Sequence, residues 1–365
     1  MQLSCSSAPY SLARSLVLFR RYLPLVLLVT ILVLGISWFG YGRYQAAELS
    51  PTPKAQPHSQ VVSRDSKEAG VWTPPHGLVQ RPIWPDRAPG EPGAPQAPER
   101  VLTKHTPEAI GGETSQAVFD VSQPTLTIFP PTAPSVGTGV VVFPGGGYSA
   151  VVMTLEGTEI CDWLAAKGIT CILVKYRVPE SGHHWDKKCN CGVTPKVPKA
   201  LQDAQRAVKI VRSEAAKHGI DPQRIGVMGF SAGGYLAVQL SNITEPAYVP
   251  RDAIDKSSSR PDFAIVFFPG HICRPGRVMD PGLRVTKQTP PTFLTQAWDD
   301  PVDDVCNSLL YARALMDAGV PAEVHLFAKG GHAFGLRKSN RSIALWPSQL
   351  EAWMSELGVL RPDPS

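Results

Sequence analysis

The chain contains 365 residues, of which 43% are hydrophobic and 18% are charged, and it carries a formal net charge of +5 at pH 7. This length accommodates one large domain or two of average size, and the apolar fraction is sufficient for a sizeable core. The positive residues form no long run, so the sequence gives no indication of a nucleic-acid partner.

The N-terminal region combines a basic segment with a long apolar one. Residues 1–21 include Arg14, Arg20 and Arg21, and an uncharged apolar run at residues 22–41 follows them. This run is long enough to span a bilayer, and basic residues before such a run hold the N-terminus in the cytoplasm. We therefore expect an exported protein, periplasmic or extracellular, whose apolar run is either a membrane anchor or a cleaved signal peptide.

Residues 42–100 have the composition of a linker. They are rich in proline, serine, glutamine and glycine, and such a segment cannot bury enough apolar area to offset the entropy lost on ordering. Trp72 and Trp84 are exceptions, so we expect part of this segment to pack onto the folded domain. We place that domain at residues 101–365.

Strand patterns alternate with helix patterns in this domain. The predicted strands, several of them continuous apolar runs typical of a buried parallel sheet, are Leu126–Phe129, Val140–Phe143, Thr170–Lys175, Arg224–Phe230, Phe263–Phe268, Thr292–Ala297 and Glu323–Phe327. The predicted helices are Glu159–Lys167, Lys199–His218, Gly233–Leu240, Asp304–Ala318 and Pro347–Leu357. This alternation predicts a doubly wound α/β domain, in which functional sites form at the carboxyl ends of the strands.

Ser231 lies at one such strand end, in the sequence Gly229-Phe230-Ser231-Ala232-Gly233. The Gly-x-Ser-x-Gly pattern is typical of a nucleophile displayed on a sharp strand-to-helix turn, where small neighbours are needed because the backbone doubles back. The start of the next helix adds a positive dipole beside the hydroxyl. The alternative is a glycine-rich turn whose serine merely caps the helix.

A run of glycines follows the predicted strand Val140–Phe143. Glycines here allow backbone N–H groups to face an oxyanion, and we expect Gly146, Gly147 and Ala232 to form an oxyanion hole. A phosphate-binding loop is the weaker interpretation, because no Gly-Lys-Ser/Thr follows and the glycine spacing does not fit a dinucleotide site.

The general base and its orienting acid are expected later in the chain. Asp299 and Asp300 follow one predicted strand, and His332 lies in a glycine-rich loop after the next. We favour Asp300 over Asp299 because it lies one residue deeper in the loop and precedes Pro301. His332 would accept the proton of Ser231 while Asp300 stabilises the imidazolium, so this chemistry needs no metal and no organic cofactor.

The cysteines fit an oxidising compartment without requiring one. Cys5 precedes the apolar run, and the remaining cysteines lie after it, where several disulfides are possible. Cys161 and Cys171 occupy helix-like and strand-like apolar patterns, which favours buried free thiols.

The segment at residues 181–198 is an unusual insertion. It contains potential metal ligands, but a Cys-x-Cys pair without a second spaced pair is a weak signal of a metal site. We expect instead a surface loop near the cleft, with or without a disulfide. The residues concerned are His183, His184, Cys189 and Cys191.

Together these motifs resemble the α/β-hydrolase superfamily and, within it, the bacterial acetyl xylan esterase-like and lipase/esterase-like enzymes. The resemblance runs from about Arg81 to Leu357 and rests on RPIWPDRAPG, VVFPGGGYSAV, ILVKYRVP, IGVMGFSAGGYLA, TPPTFLTQAWDDPVD and KGGHAFGL. It implies a mostly parallel sheet with helices on both faces. At the matching positions it implies the nucleophile Ser231, the acid Asp300, the base His332 and the oxyanion donors Gly146, Gly147 and Ala232.

The resemblance also implies a substrate class. It points to esters with short acyl groups, especially acetyl groups on a polysaccharide such as xylan. Few residues separate Phe268 from Pro291, where lipases of this fold often insert a helical lid. We therefore expect a short cap and an open cleft.

Other functions are less favoured by the sequence. A prolyl-oligopeptidase-like peptidase shares the fold and the serine pattern, but residues 50–120 are too few to supply its propeller domain. A membrane-tethered binding protein with a degenerate hydrolase fold would have no reason to keep Ser231, Asp300 and His332 together.

Overall fold

The computed structural model describes residues 67–91, 97–106, 112–179, 184–186, 191–193 and 198–360. These residues belong to one unit of the chain, residues 64–365. The predicted basic segment and apolar run at residues 1–41 lie outside the described part. Within the described part, no helix has the length and apolar character needed to cross a bilayer.

The strands of the described residues are, in chain order, β1 (Lys67–Ala69), β2 (Arg81–Pro82), β3 (Arg100–His105), β4 (Thr114–Phe119), β5 (Thr125–Phe129), β6 (Gly139–Phe143), β7 (Ala150–Val152), β8 (Thr170–Lys175), β9 (His184–Asp186), β10 (Cys191–Val193), β11 (Ile225–Phe230), β12 (Phe263–Phe267), β13 (Cys273–Arg274), β14 (Val278–Met279), β15 (Thr292–Ala297) and β16 (Ala322–Phe327). The predicted strands begin and end within one residue of the corresponding strands in the structure. The apolar runs in the sequence predict the positions of these strands well, because several of the strands are buried along their whole length. These strands are β6, β8, β11, β12 and β15.

An eight-stranded sheet forms the centre of the domain, in the order β16-β15-β12-β11-β6-β8-β5-β2. The strands from β16 to β8 in this order are parallel, whereas β5 is antiparallel to β8 and β2 is antiparallel to β5. The predicted α/β class with a mostly parallel sheet is confirmed.

The helices are α1 (Glu159–Ala166), α2 (Pro198–Ser213), α3 (Ala232–Asn242), α4 (Cys306–Asp317) and α5 (Trp346–Glu356). One predicted helix is shorter than expected: after Ser213 the chain passes into a 3-10 turn at Ala215–His218, which Gly219 ends in the left-handed region at φ 64°. A single π turn, Thr154–Thr158, leads directly into α1.

A smaller antiparallel sheet has the order β1-β3-β4-β7. Because β7 directly follows the glycine run after β6, this sheet holds one end of that loop. Part of the segment predicted as a linker also packs on the domain: Trp72 and Trp84 are buried, and the Trp84 indole donates a hydrogen bond of 2.8 Å to Asp203.

Disulfides connect α1 to β8 and β13 to the start of α4. Cys161 is bonded to Cys171 with a Cα–Cα distance of 5.2 Å, and Cys273 is bonded to Cys306 at 5.8 Å. The prediction of free thiols at Cys161 and Cys171 is therefore wrong. The apolar pattern correctly indicates burial, but it does not contain the distance between the two side chains, which is set by the packing of α1 on β8.

The strand register brings three loops together at one edge of the sheet. In β6 and β11, Phe143 lies opposite Gly229, and in β11 and β12, Phe230 lies opposite Phe267. The chain segments that follow these strands therefore emerge side by side. They contain the glycine run, Ser231 and the loop after β12.

Candidate active site

Ser231 occupies a sharp turn between β11 and α3. Its backbone has φ 53° and ψ −118°, an uncommon conformation for a residue with a side chain. The turn is so tight that a Cβ on Gly229 would lie 2.0 Å from the carbonyl oxygen of Gly233, and a Cβ on Gly233 would lie 2.0 Å from that of Phe143. Both positions therefore require glycine, and the hydroxyl is presented at the strand end.

The structure brings together Ser231, His332 and Asp300. The Ser231 hydroxyl lies 3.0 Å from Nε2 of His332, and Nδ1 of the same ring lies 2.8 Å from Oδ2 of Asp300. With its proton on Nδ1, the ring donates to Asp300 and accepts from Ser231. This is the geometry of a nucleophile, a general base and an orienting acid.

Asp300 and its neighbour Asp299 have different contacts. Oδ1 of Asp300 accepts hydrogen bonds from the backbone N–H groups of Val302 and Asp303, which orients its other oxygen toward His332. Oδ1 of Asp299 instead accepts from the N–H groups of Gly330 and Gly331, both at 2.8 Å. Asp300 therefore contacts the imidazole, and Asp299 holds the loop that carries it.

The glycine run that contains two of the predicted oxyanion donors touches the Ser231 turn through Gly145. A Cβ on Gly145 would lie 2.9 Å from Cβ of Ser231, so the glycine run is in direct contact with the turn. Gly146 and Gly147 follow at φ 129° and 60°, and Ala232 begins α3, where the first N–H groups have no intrahelical acceptor.

Two tyrosines hold the glycine loop against this part of the sheet. The Tyr148 hydroxyl donates a hydrogen bond of 2.8 Å to the carbonyl oxygen of Ala232. The Tyr176 hydroxyl donates one of 2.6 Å to the carbonyl oxygen of Pro144. Since both tyrosines are fully buried, the loop is fixed at each end of its glycine run.

The structure adds two carboxyl groups that the sequence did not assign to the site. Oδ2 of Asp303 lies 3.3 Å from the Ser231 hydroxyl, and Oε2 of Glu156 accepts a 2.7 Å hydrogen bond from the N–H of Gly145. Burial raises the pKa of Asp303 to about 6 and that of Glu156 to about 7, against the opposing effect of the charge on His332. The third aspartate of WDDPVD was the available signal for Asp303, and the sequence pair Glu156-Gly157 was the available signal for Glu156.

These carboxyl groups affect His332. Burial alone would lower the pKa of the imidazole, but the hydrogen bond to Asp300 and the surrounding negative charges outweigh this effect, so the pKa lies above its ordinary value. The charges are those of Asp303, Asp300 and Glu156. The arrangement thus stabilises the protonated imidazole, which is the form that arises when His332 accepts the proton of Ser231.

The part of the chain that the structure describes contains no group of three or more His, Cys, Asp or Glu residues arranged to hold a metal ion. In the insertion at 181–198, the described residues are the short antiparallel hairpin of β9 and β10 and Pro198, which begins α2. His183 and Cys189 lie outside the described residues. The expectation of a surface loop and not a metal site at this insertion therefore stays a prediction.

Comparisons with known proteins agree with this fold. Residues 128–260 match the BD-FAE family. The chain is 32% identical over 241 residues to an acetylxylan esterase of Xylanibacter ruminicola, an alignment that covers 59% of this chain and 45% of that protein. It is 29% identical over 231 residues to endo-1,4-beta-xylanase B of Butyrivibrio fibrisolvens, covering 55% of this chain and 33% of that one. The chain thus spans less than half the length of these relatives.

Solved structures match a larger share of this chain. The acetyl ester-xyloside bifunctional hydrolase from Caldicellulosiruptor lactoaceticus is 28% identical, with a TM-score of 0.60, and the match covers 77% of this chain and 97% of that one. MGS-M1, an alpha/beta hydrolase from a deep-sea metagenome library of the Medee basin, is 25% identical, with a TM-score of 0.50 and 64% and 92% covered. These relatives support a carboxylic ester hydrolase. The chain belongs to the α/β-hydrolase superfamily, and within it the chain is similar to the acetyl xylan esterase-like enzymes.

Proposed function

We propose that the protein is an exported serine carboxylesterase that hydrolyses short-chain acyl esters by an acyl-enzyme mechanism. The observation that carries the proposal is the continuous set of contacts from Ser231 through His332 to Asp300, at 3.0 and 2.8 Å. A glycine turn holds the nucleophile, and the glycine run that contains two of the predicted oxyanion donors contacts this turn through Gly145.

In the first half of the reaction, Ser231 attacks the ester carbonyl as its proton passes to Nε2 of His332. The negative charge that develops on the carbonyl oxygen is stabilised by N–H groups of Gly146, Gly147 and Ala232. His332 then donates the proton to the leaving alcohol. In the second half, the same nitrogen removes a proton from water, which attacks the acyl-enzyme; His332 then returns this proton to Oγ of Ser231 as the acid is released. Asp300 keeps the ring in the required tautomer.

The substrate we propose is an acetylated polysaccharide such as acetylated xylan. The names of the acetylxylan esterase and the acetyl ester-xyloside hydrolase among the relatives support this choice. The segment between β12 and β15, all of it described, contains the hairpin of β13 and β14 and no α-helix. This segment supports a short cap and therefore a cleft open to a bulky alcohol.

The reaction class is tested with p-nitrophenyl acetate. We expect turnover by the full chain, and a loss of several orders of magnitude in Ser231→Ala. Equal rates for the two proteins, or turnover of a proline-containing peptide anilide in place of the ester, would contradict the esterase proposal.

The substrate class is tested by acetate release. We expect the protein to release acetate from acetylated xylan and to prefer p-nitrophenyl acetate over the octanoate ester. A preference for long acyl chains or emulsified lipid would contradict the proposed substrate. Sequencing the N-terminus of protein recovered from the periplasm or medium tests export, and recovery in the cytoplasm alone would contradict it.

A further inference from the structure

Asp303 contacts the same hydroxyl that His332 contacts. Its Oδ2 lies 3.3 Å from Oγ of Ser231 and 3.9 Å from Nε2 of His332. The carboxyl group is packed against Gly270, where a Cβ would lie 2.5 Å from its Oδ1. Gly270 in turn follows β12, and its N–H points to the carbonyl oxygen of Ser231 at 3.4 Å. The position of Asp303 is therefore set by two loops of the site.

The Ser231 hydroxyl has one proton and two acceptors within reach. When His332 is neutral, the shorter contact of 3.0 Å lets the hydroxyl donate to Nε2. When His332 is protonated, Nε2 carries a hydrogen and cannot accept, so the hydroxyl can donate only to Asp303. Between the pKa of Asp303, which is about 6, and the raised pKa of His332, the resting state then has an imidazolium ring between two carboxylates, with Asp300 on Nδ1 and Asp303 on the Nε2 side.

We propose that Asp303 is a second carboxylate of the active site, one that shares the Ser231 hydroxyl with His332 and sets the pH at which the ring becomes an active base. This inference rests on the proposed esterase function. The negative charge of Asp303 stabilises the imidazolium, so more alkaline conditions are needed to free Nε2. The same charge stabilises the imidazolium that forms each time Ser231 attacks.

Asp303 is distinct from the other charged groups that face His332. Asp300 binds Nδ1, on the opposite side of the ring, and Glu156 acts through its charge from beneath the glycine loop. The ring of Phe268, 4.8 Å from that of His332 between centroids, covers the imidazole with an uncharged surface. Of these groups, only Asp303 reaches the hydroxyl of Ser231.

The test is the pH profile of kcat/KM for Asp303→Asn, with p-nitrophenyl acetate as substrate. Asparagine keeps the size of the side chain and removes the charge, so we expect the acid limb to move about 1 pH unit toward acid. Asp304→Asn is the matched control, because Asp304 lies in the same loop but its carboxylate caps the N–H of Cys306 at the start of α4. The control is expected to keep the limb of the unmodified protein.

A second measurement does not depend on turnover. The pKa of His332 is followed by NMR through its ring C–H signals, which are assigned with His332→Gln. We expect a lower pKa in Asp303→Asn than in the unmodified protein, and Asp303→Ser provides a second uncharged variant should the first fold poorly. Asp303→Glu, which restores the charge, is expected to raise the pKa again.

The outcomes separate this inference from the proposed function. An unmodified protein that does not hydrolyse the ester contradicts the esterase function, and the NMR comparison then decides the role of Asp303 alone. A hydrolytic protein whose Asp303→Asn variant keeps both the acid limb and the His332 pKa overturns the inference. An equal acid shift in Asp304→Asn also overturns it, because the effect would then belong to the loop and not to the contact with Ser231.

Discussion

The N–H of Gly145 donates a hydrogen bond of 2.7 Å to Oε2 of Glu156, and this contact joins the glycine loop to the turn before α1. Glu156 is only 2% exposed, and burial raises its pKa to about 7 despite the opposing charge of His332. The loop that we assign to the oxyanion hole thus rests on a carboxyl group that changes charge near neutral pH.

Glu156 makes the stability of the protein depend on pH. Because its folded pKa of about 7 exceeds the ordinary value of 4.5, its contribution to stability is fully present below pH 4.5 and is lost as the pH rises through 7. Glu156→Gln keeps an acceptor for Gly145 and removes the titration. We expect it to be more stable than the unmodified protein at pH 8, by up to about 3 kcal/mol, and similar at pH 4.5. Urea unfolding at both pH values measures this, and a Gln variant that is less stable at pH 8 would disprove the assignment.

Asp299 and Asp300 are expected to respond differently to the same substitution. Asp300→Asn removes the acceptor that fixes the tautomer of His332, and kcat should fall about 10⁴-fold. Asp299→Asn keeps one oxygen for the N–H groups of Gly330 and Gly331, and kcat should fall less than about tenfold. Steady-state kinetics on p-nitrophenyl acetate compares the two variants. Similar losses in both would show that the loop, and not the contact with His332, limits the reaction.

Gly233 is required by its close contact with the backbone of β6. A Cβ at this position would lie 2.0 Å from the carbonyl oxygen of Phe143, which cannot move without disturbing the sheet. Gly233→Ala should therefore lower the free energy of unfolding by at least about 3 kcal/mol. Gly276→Ala is the control, since nothing lies within 4 Å of its Cβ and only the φ of 82° is unfavourable; it should lose about 1 kcal/mol. Thermal unfolding of the two variants gives the comparison.

The disulfides are expected to serve different purposes. Cys273–Cys306 links the loop that follows Gly270 to the helix start just after Asp303, so replacing both cysteines by serine should lower kcat/KM as well as stability. Cys161–Cys171 lies between α1 and β8, and its removal should lower stability by about 2–3 kcal/mol while kcat/KM at 25 °C changes little. Denaturant unfolding and ester hydrolysis are measured on both double variants. A larger kinetic loss on removing Cys161–Cys171 would contradict this assignment.

The central sheet could be predicted well because its strands are buried on both faces. Val140–Phe143 is apolar along its whole length and is followed by the glycine run, and Thr170–Lys175 has an apolar centre at Cys171–Val174 and is buried throughout. The flanking sheet was not predicted. Its strand Arg100–His105 is largely exposed and carries arginine, lysine and histidine, so no apolar pattern identifies it.

The sequence by itself determined which side chains stand at the carboxyl ends of the strands, because the order of strands and loops follows from local patterns. Ser231, Asp300 and His332 could be named on this basis, and the structure places them in contact. The tertiary structure decided the distances between side chains, because a local sequence pattern does not contain these distances. The pairing of Cys161 with Cys171 depends on how α1 packs on β8. The contact of Glu156 with Gly145 and that of Asp303 with Ser231 depend on how loops pack at the carboxyl ends of the strands. Burial at these strand ends then sets the charges around His332, and burial is a property of the folded chain alone.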